Sequence, residues 1–156
     1  EAIANITRNF MVAGMYSYID AEYKEFISNG VNVANQRVFQ NTPRNSGNLR
    51  ANYDIALPLM GQNGKISLIG SVSYKGATNQ FETVSVLDQE SYKLYDASII
   101  WTRADGKIRA GIHGKNLSDE RYKTAGYFFP TLGNEGTLTA FYGNPRTVSA
   151  TLEYRF

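Results

Sequence analysis

Cysteine is missing from the 156 residues, and histidine occurs once. The first absence removes disulfide frameworks, thiolate metal sites and cysteine nucleophiles together. It permits an envelope location without establishing one. Charge of one sign is also missing: 16 basic and 14 acidic residues are spread along the chain for a net +2, so no face for nucleic acid is announced. No run approaches 18 consecutive apolar residues, which excludes a membrane-spanning helix. That test does not reach spanning β-barrels, whose strands show lipid only alternate side chains. The opening segment, Glu1-Ala-Ile-Ala-Asn-Ile-Thr-Arg8, has no basic region followed by an apolar run and a small-residue cleavage site, so it is not a secretory signal. An exported chain without one is expected to be mature, or a piece of something longer.

Aromatic residues are what the chain has in plenty. Eleven tyrosines, eight phenylalanines and one tryptophan make 13%, rich for a soluble domain and expected where aromatic girdles mark lipid interfaces. The last eleven residues, Arg146 to Phe156, alternate without a fault. Val148, Ala150, Leu152, Tyr154 and Phe156 share one face, and Thr147, Ser149, Thr151, Glu153 and Arg155 share the other.

Five further segments carry a two-residue period. The spacing predicts strands over Asn9–Glu22, Asn48–Leu57, Ile66–Lys75, Tyr92–Thr102 and Ile108–Asn116, with the terminal strand making six. The second is clean: Leu49, Ala51, Tyr53, Ile55 and Leu57 oppose Asn48, Arg50, Asn52 and Asp54, and only Ala56 breaks the pattern. Ile69 breaks the third, and Leu94 and Ile100 the fourth. Each core is about ten residues, the length a tilted strand needs to cross a hydrocarbon layer.

Connections decide the topology. Pro58–Gly64 and Arg103–Lys107 are short and Gly-containing, as tight hairpins require, whereas the segments over Phe26–Gly47, Gly76–Ser91 and Leu117–Pro145 are long and polar. Strict alternation of short and long connections is the habit of outer-membrane barrels. The expected fold is therefore all-β, an antiparallel meander of about six long strands forming the C-terminal segment of a transmembrane β-barrel. Turning the second strand over would place Arg50 against lipid at about 2 to 4 kcal/mol, with a smaller penalty for Asp54. Arg50, Asp54, Lys75, Arg109, His113 and Lys115 are accordingly expected to face a wet lumen.

Three segments, in order, carry a family resemblance: Asn41-Thr-Pro-Arg44 followed by Asn48, Leu49 and Tyr53; Lys115-Asn-Leu-Ser-Asp-Glu-Arg-Tyr122; and Tyr142-Gly-Asn-Pro-Arg-Thr147 running into Tyr154-Arg-Phe156. Together with the flanking strands they resemble the C-terminal part of TonB-dependent outer-membrane receptors. Parts of the motifs have physical reasons. Pro43 fixes φ where ladder pairing has not begun, Asn116 and Asp119 can bond nearby backbone and close a strand end, and Gly143-Asn-Pro145 reads as a turn.

The resemblance implies an outer-membrane location in a Gram-negative bacterium and a role in energised uptake of a scarce nutrient, a ferric siderophore or similar. Such receptors look like barrels of about 22 strands filled by a plug, which the TonB system engages. Six strands without plug or coupling segment would be roughly the final quarter, spanning 1–156, incapable of gated transport alone. Its implied partners are outer-membrane lipid, the remaining strands and plug, TonB acting through that plug, and the barrel assembly machinery, to which Leu152, Tyr154 and Phe156 would be the signal. With the terminal strand descending, Trp101 lies at the periplasmic girdle and Tyr16, Tyr18, Tyr74 and Tyr95 at the outer one. No cofactor, metal or nucleic acid is expected, and no enzymatic role. The alternative is a self-contained small outer-membrane barrel, porin-like or ligand-binding.

Sharper readings were weighed against these. His113 could be catalytic or a metal ligand, but a triad needs a nucleophile and a metal site needs clustered donors, so a wall residue is expected. Asp20 and Glu22 could pass for glycosidase carboxylates, though their spacing at a strand's outer end suits a solvated rim. Met11 and Met15 fit packing better than ligation. The loop aromatics Tyr127, Phe128, Phe129 and Phe141 could grip an arriving ligand or cover one another.

Overall fold

The computed structural model describes residues 1–59, 62–129 and 136–156. The chain forms strands β1 (Ala2–Asn5), β2 (Phe10–Tyr18), β3 (Ile27–Ser28), β4 (Val31–Asn32), β5 (Asn45–Leu59), β6 (Gln62–Lys75), β7 (Tyr92–Thr102), β8 (Ile108–Lys115), β9 (Lys123–Phe129), β10 (Thr137–Tyr142) and β11 (Thr147–Tyr154), with one 3-10 turn at Ala34–Gln36. Seven strands form one sheet in the order β1-β2-β5-β6-β7-β8-β11, each neighbour antiparallel. The hairpins β9–β10 and β3–β4 stand apart from it. Among the described residues the sheet does not close: β1 and β11 each have a partner on one side only.

Cross-strand register converts each strand's alternation into a property of the whole sheet. Tyr53 faces Leu68, Leu68 faces Ile99, Ile99 faces Ile112, and Ile112 faces Ala150, so one row is apolar from β5 to β11. The neighbouring row on the other face runs Asn52, Ile69, Ser98, His113, Ser149. A slip of one residue would exchange the two faces.

The apolar face is the open one. Leu49 is 52% exposed, Ile112 60% and Leu152 79%, while Ser67 on the polar face is 9% exposed. Ile100, an exception to the alternation that lands on the polar face, is 6% exposed. A protein folded around a dry centre would show the reverse. Hydrogen bonds knit the polar face: Asn48 Nδ2 donates to Ser73 Oγ at 2.8 Å, Ser67 Oγ to Asp54 Oδ1 at 2.6 Å, and Lys65 Nζ to Asp54 Oδ2 at 3.0 Å.

Several expected boundaries move. The first long strand ends at Tyr18 rather than Glu22: after Ile19 N–H donates to Arg44 C=O, Asp20 leaves the ladder to pair with the Arg44 guanidinium at 3.2 Å. The second starts earlier than expected, because Ser46 and Gly47 find partners in Ser17 and Tyr16. Pro58–Gly64 is no seven-residue connection, since Pro58 pairs with Asn63 and Leu59 with Gln62. Met60 and Gly61, at its middle, lie outside the described residues. Arg103–Lys107 is the expected tight turn, closed by Arg103 N–H to Ile108 C=O at 2.9 Å with Gly106 at φ +70°. Strand β1 carries no alternation and was invisible as sequence. It is held by a reversal in which Ile6 N–H donates to Phe10 C=O at 2.9 Å.

Candidate functional site

The long connections all leave the same end of the sheet, and they pack on one another. Asp88 organises the segment between β6 and β7: its Oδ1 accepts from Gln80 N–H at 3.0 Å, and its Oδ2 accepts from Asn79 Nδ2 at 2.8 Å and Ser85 N–H at 3.0 Å. Leu87 is buried, with Gly126 of β9 so close that a methyl group there would strike its Cδ1. Lys123 Nζ reaches Asp88 C=O at 2.6 Å, and Lys123 N–H donates to Gln89 Oε1 at 2.7 Å. The segment between β2 and β5 joins through Val38 N–H to Glu82 C=O and Asn41 N–H to Asn79 C=O, both 2.9 Å.

A cleft of about 810 Å³ opens between the connection ahead of β5 and residues Ala77 and Asn79. Tyr23 stacks on Phe39 with centroids 4.3 Å apart and planes 6° from parallel, and meets Phe26 edge-on at 5.4 Å. Arg37 lies 5.1 Å over the Phe26 ring, and its Nε, shielded from solvent, has no hydrogen-bond partner among the described residues. Arg44 donates to Tyr18 Oη at 2.8 and 3.2 Å and pairs with Asp20. The Tyr18 hydrogen bond, then the Asp20 charge, hold its guanidinium above its ordinary pKa. Lys24 and Glu22 complete the charged lining. Three cations, two carboxylates and a stacked aromatic pair make a surface suited to a planar, anionic or mixed-charge ligand. The sequence reading placed Asp20 and Glu22 at a rim but missed Tyr23, Arg37 and Phe39, which alternate with nothing and meet only in space.

Residues singled out in the sequence divide between two faces and the loops. Arg50, Asp54, Lys75, Arg109, His113 and Lys115 fall on the polar face by register, joined there by Met11 and Met15. His113 lies between strands: Nδ1 is 2.9 Å from Ser98 Oγ and Nε2 3.0 Å from Thr151 Oγ1, so both ring nitrogens are engaged with hydroxyls. Gly111 makes room for the ring, since a Cβ there would sit 2.8 Å from Nε2. No three His, Asp or Glu side chains converge among the described residues. Tyr16, Tyr18, Tyr74 and Tyr95 lie toward the loop end of the apolar face, and Trp101, in the row of Ile66, Ala110 and Leu152, toward the short-turn end. Tyr154 meets Phe156 edge-on at 5.0 Å beyond the last pairing.

Tyr127, Phe129 and Phe141 share one side of the β9–β10 hairpin, with Tyr127 edge-on to Phe141 at 5.7 Å, while Phe128 pairs with Leu138 on the other. All four are exposed, and Tyr127 lies against both Phe129 and Phe141 while Phe128 stays apart from them. This hairpin, inside an expected loop, had one signal in the sequence: threonine and aromatic residues crowd both of its arms.

These features define a segment of barrel wall of the transmembrane type: a meander of long antiparallel strands, apolar on the open face and polar on the other, with tight turns at one end and packed long loops at the other. Its structure is similar to that of the siderophore receptor PiuA from Acinetobacter baumannii, with a TM-score of 0.67 over 97% of this chain at 18% identity. The match covers 20% of that receptor, so the chain spans about a fifth of its length. At this identity the likeness establishes the fold. No family profile matches the chain, and no curated protein is significantly similar to it.

Proposed function

We propose that residues 1–156 are the C-terminal part of the barrel of a TonB-dependent outer-membrane receptor that takes up a scarce nutrient, a ferric siderophore or similar compound. The observation that carries this reading is the correspondence of nearly the whole chain with one continuous fold also found in a siderophore receptor. In this reading the open apolar face meets lipid, the polar face with Arg50, Asp54, Lys75, Arg109, His113 and Lys115 lines the lumen, and Leu152, Tyr154 and Phe156 form the assembly signal. Neither catalysis nor a resident cofactor is involved. The earlier strands and plug belong to the same receptor, and TonB acts through that plug.

The chain's own residues would contribute capture. The loop cleft presents Arg37 and Lys24 beside the Tyr23–Phe39 stack, and the Tyr127, Phe129 and Phe141 face adds apolar contact. Both lie at the end of the sheet that points away from the short turns, which is the cell exterior in an outer-membrane barrel. Deletion of the gene in its host, followed by growth on ferric chelates as sole iron source and immunoblotting of separated membranes, tests the proposal. Expected are loss of growth on at least one chelate, restored by the intact gene, and recovery of the protein in the outer-membrane fraction. Unchanged growth and uptake across chelates, haem and cobalamin, or recovery in a soluble fraction, would overturn it.

A further inference from the structure

On the apolar face, the row nearest the loops reads Tyr16, Gly47, Tyr74, Lys93 across β2, β5, β6 and β7. Gly47 carries no side chain, and the Tyr16 ring leans across it toward Asn45, its Cδ2 3.7 Å from where a Gly47 Cβ would stand and its Oη donating to Asn45 Oδ1. In the next row, Gly14 removes a second side chain beside Leu49 and Val72. The result is a groove of about 700 Å³ with a mostly apolar floor, which no side chain of the described residues fills. A methyl group on Gly47 would stand 2.9 Å from Met15 C=O, so the backbone keeps that position free of a side chain of its own.

Lys93 closes one end. It is the one charged side chain placed on this face of the seven-stranded sheet among the described residues, and it makes no ion pair there. A lysine on this face lays its stem over apolar surface and carries its ammonium to the interface, where an anionic group can meet it. Tyr74 and Tyr95 flank it. Glu1 touches the opposite margin of the groove, four strand spacings or about 19 Å away, too far to neutralise it.

We propose that this groove holds one acyl chain of a phosphate-bearing anionic lipid, the chain lying over Leu49 and Val72 beside Tyr74 and the phosphate meeting Lys93. The assignment rests on the reading of the apolar face as the bilayer-facing one. Charge complementarity selects the occupant: an apolar trough alone would take any chain, while a single unpaired ammonium at its polar end selects an anionic headgroup over a zwitterionic one.

The test uses the full-length protein in phosphatidylcholine vesicles containing trace spin-labelled phosphatidylglycerol or spin-labelled phosphatidylcholine, with the immobilised fraction of each label measured. The wild type should prefer phosphatidylglycerol by roughly fivefold, the effect of one basic residue near an anionic surface. Lys93→Met, which keeps the stem and removes the charge, should abolish the preference while leaving chain immobilisation in place. Val72→Phe, which fills the trough, should reduce immobilisation of both lipids. A preference that survives Lys93→Met, or immobilisation that survives Val72→Phe, overturns the proposal. Resistance to carbonate extraction separates the two claims. Wild type that is stripped from the vesicles refutes the bilayer-facing assignment and the lipid site together, whereas retained protein without lipid preference refutes only the site.

Discussion

Gly143 has no room for even a methyl group, because the Tyr122 ring lies directly over it and itself stacks on Tyr92 at 4.5 Å. Gly143→Ala must displace that stack, an overpacking change that should cost about 1 to 3 kcal/mol and lower the urea midpoint of the refolded protein correspondingly. Asn116 carries a different burden. It is buried at φ +49°, its Oδ1 accepts from Glu120 N–H at 2.8 Å, and its Nδ2 donates to Glu120 C=O at 2.9 Å and Asn144 C=O at 3.1 Å. Asn116→Ala loses these bonds and adds left-handed strain, for about 2 to 4 kcal/mol. Asn116→Gly loses the bonds without the strain and should fall between wild type and alanine in the same unfolding experiment. The bonds of Asn116 to Glu120 were legible because they span four residues, whereas its bond to Asn144 was not. The contact of Gly143 with Tyr122 was not, because 21 positions separate them and no local rule joins them.

Strand β11 puts opposite demands on adjacent positions. Ala150 lies in the apolar row with Ile112 and Ile99, and Ser149 lies beside His113 on the polar face. Lysine at 150 should cost about 2 to 4 kcal/mol if that row is at the bilayer midplane, and lysine at 149 should cost little. Ala150→Lys should therefore depress the yield of heat-modifiable folded protein on refolding into detergent, and Ser149→Lys should not. Equal yields from the two would contradict the face assignment. The period that separates these positions is a property of the strand itself, so all six long strands could be read, with errors confined to their ends. The β9–β10 hairpin could not. Its bulged register between Phe141 and Tyr142 interrupts the alternation, and it is held by Leu87 and Lys123 rather than by a face of its own.

Among the described residues, seven strands in an unclosed sheet leave β1 and β11 with one partner each, and an unpaired ladder in a dry medium costs several kcal/mol per group. Residues 1–156 expressed alone should therefore form detergent-resistant oligomers or aggregates and give no heat-modifiable monomer on gels. A stable monomeric, heat-modifiable species would instead favour the self-contained small barrel. The sequence by itself determined the strand positions, the partition of each strand into an apolar and a polar face, and the alternation of short and long connections, because all three follow from a two-residue period and from turn residues acting locally. Only the tertiary structure decided that the apolar face is the open one, that the three long connections pack into one body around Leu87 and Asp88, and that two glycines and a lysine from three different strands align into a groove. Those features depend on register between strands and on contacts between distant loops, and neither leaves a mark on the order of residues along the chain.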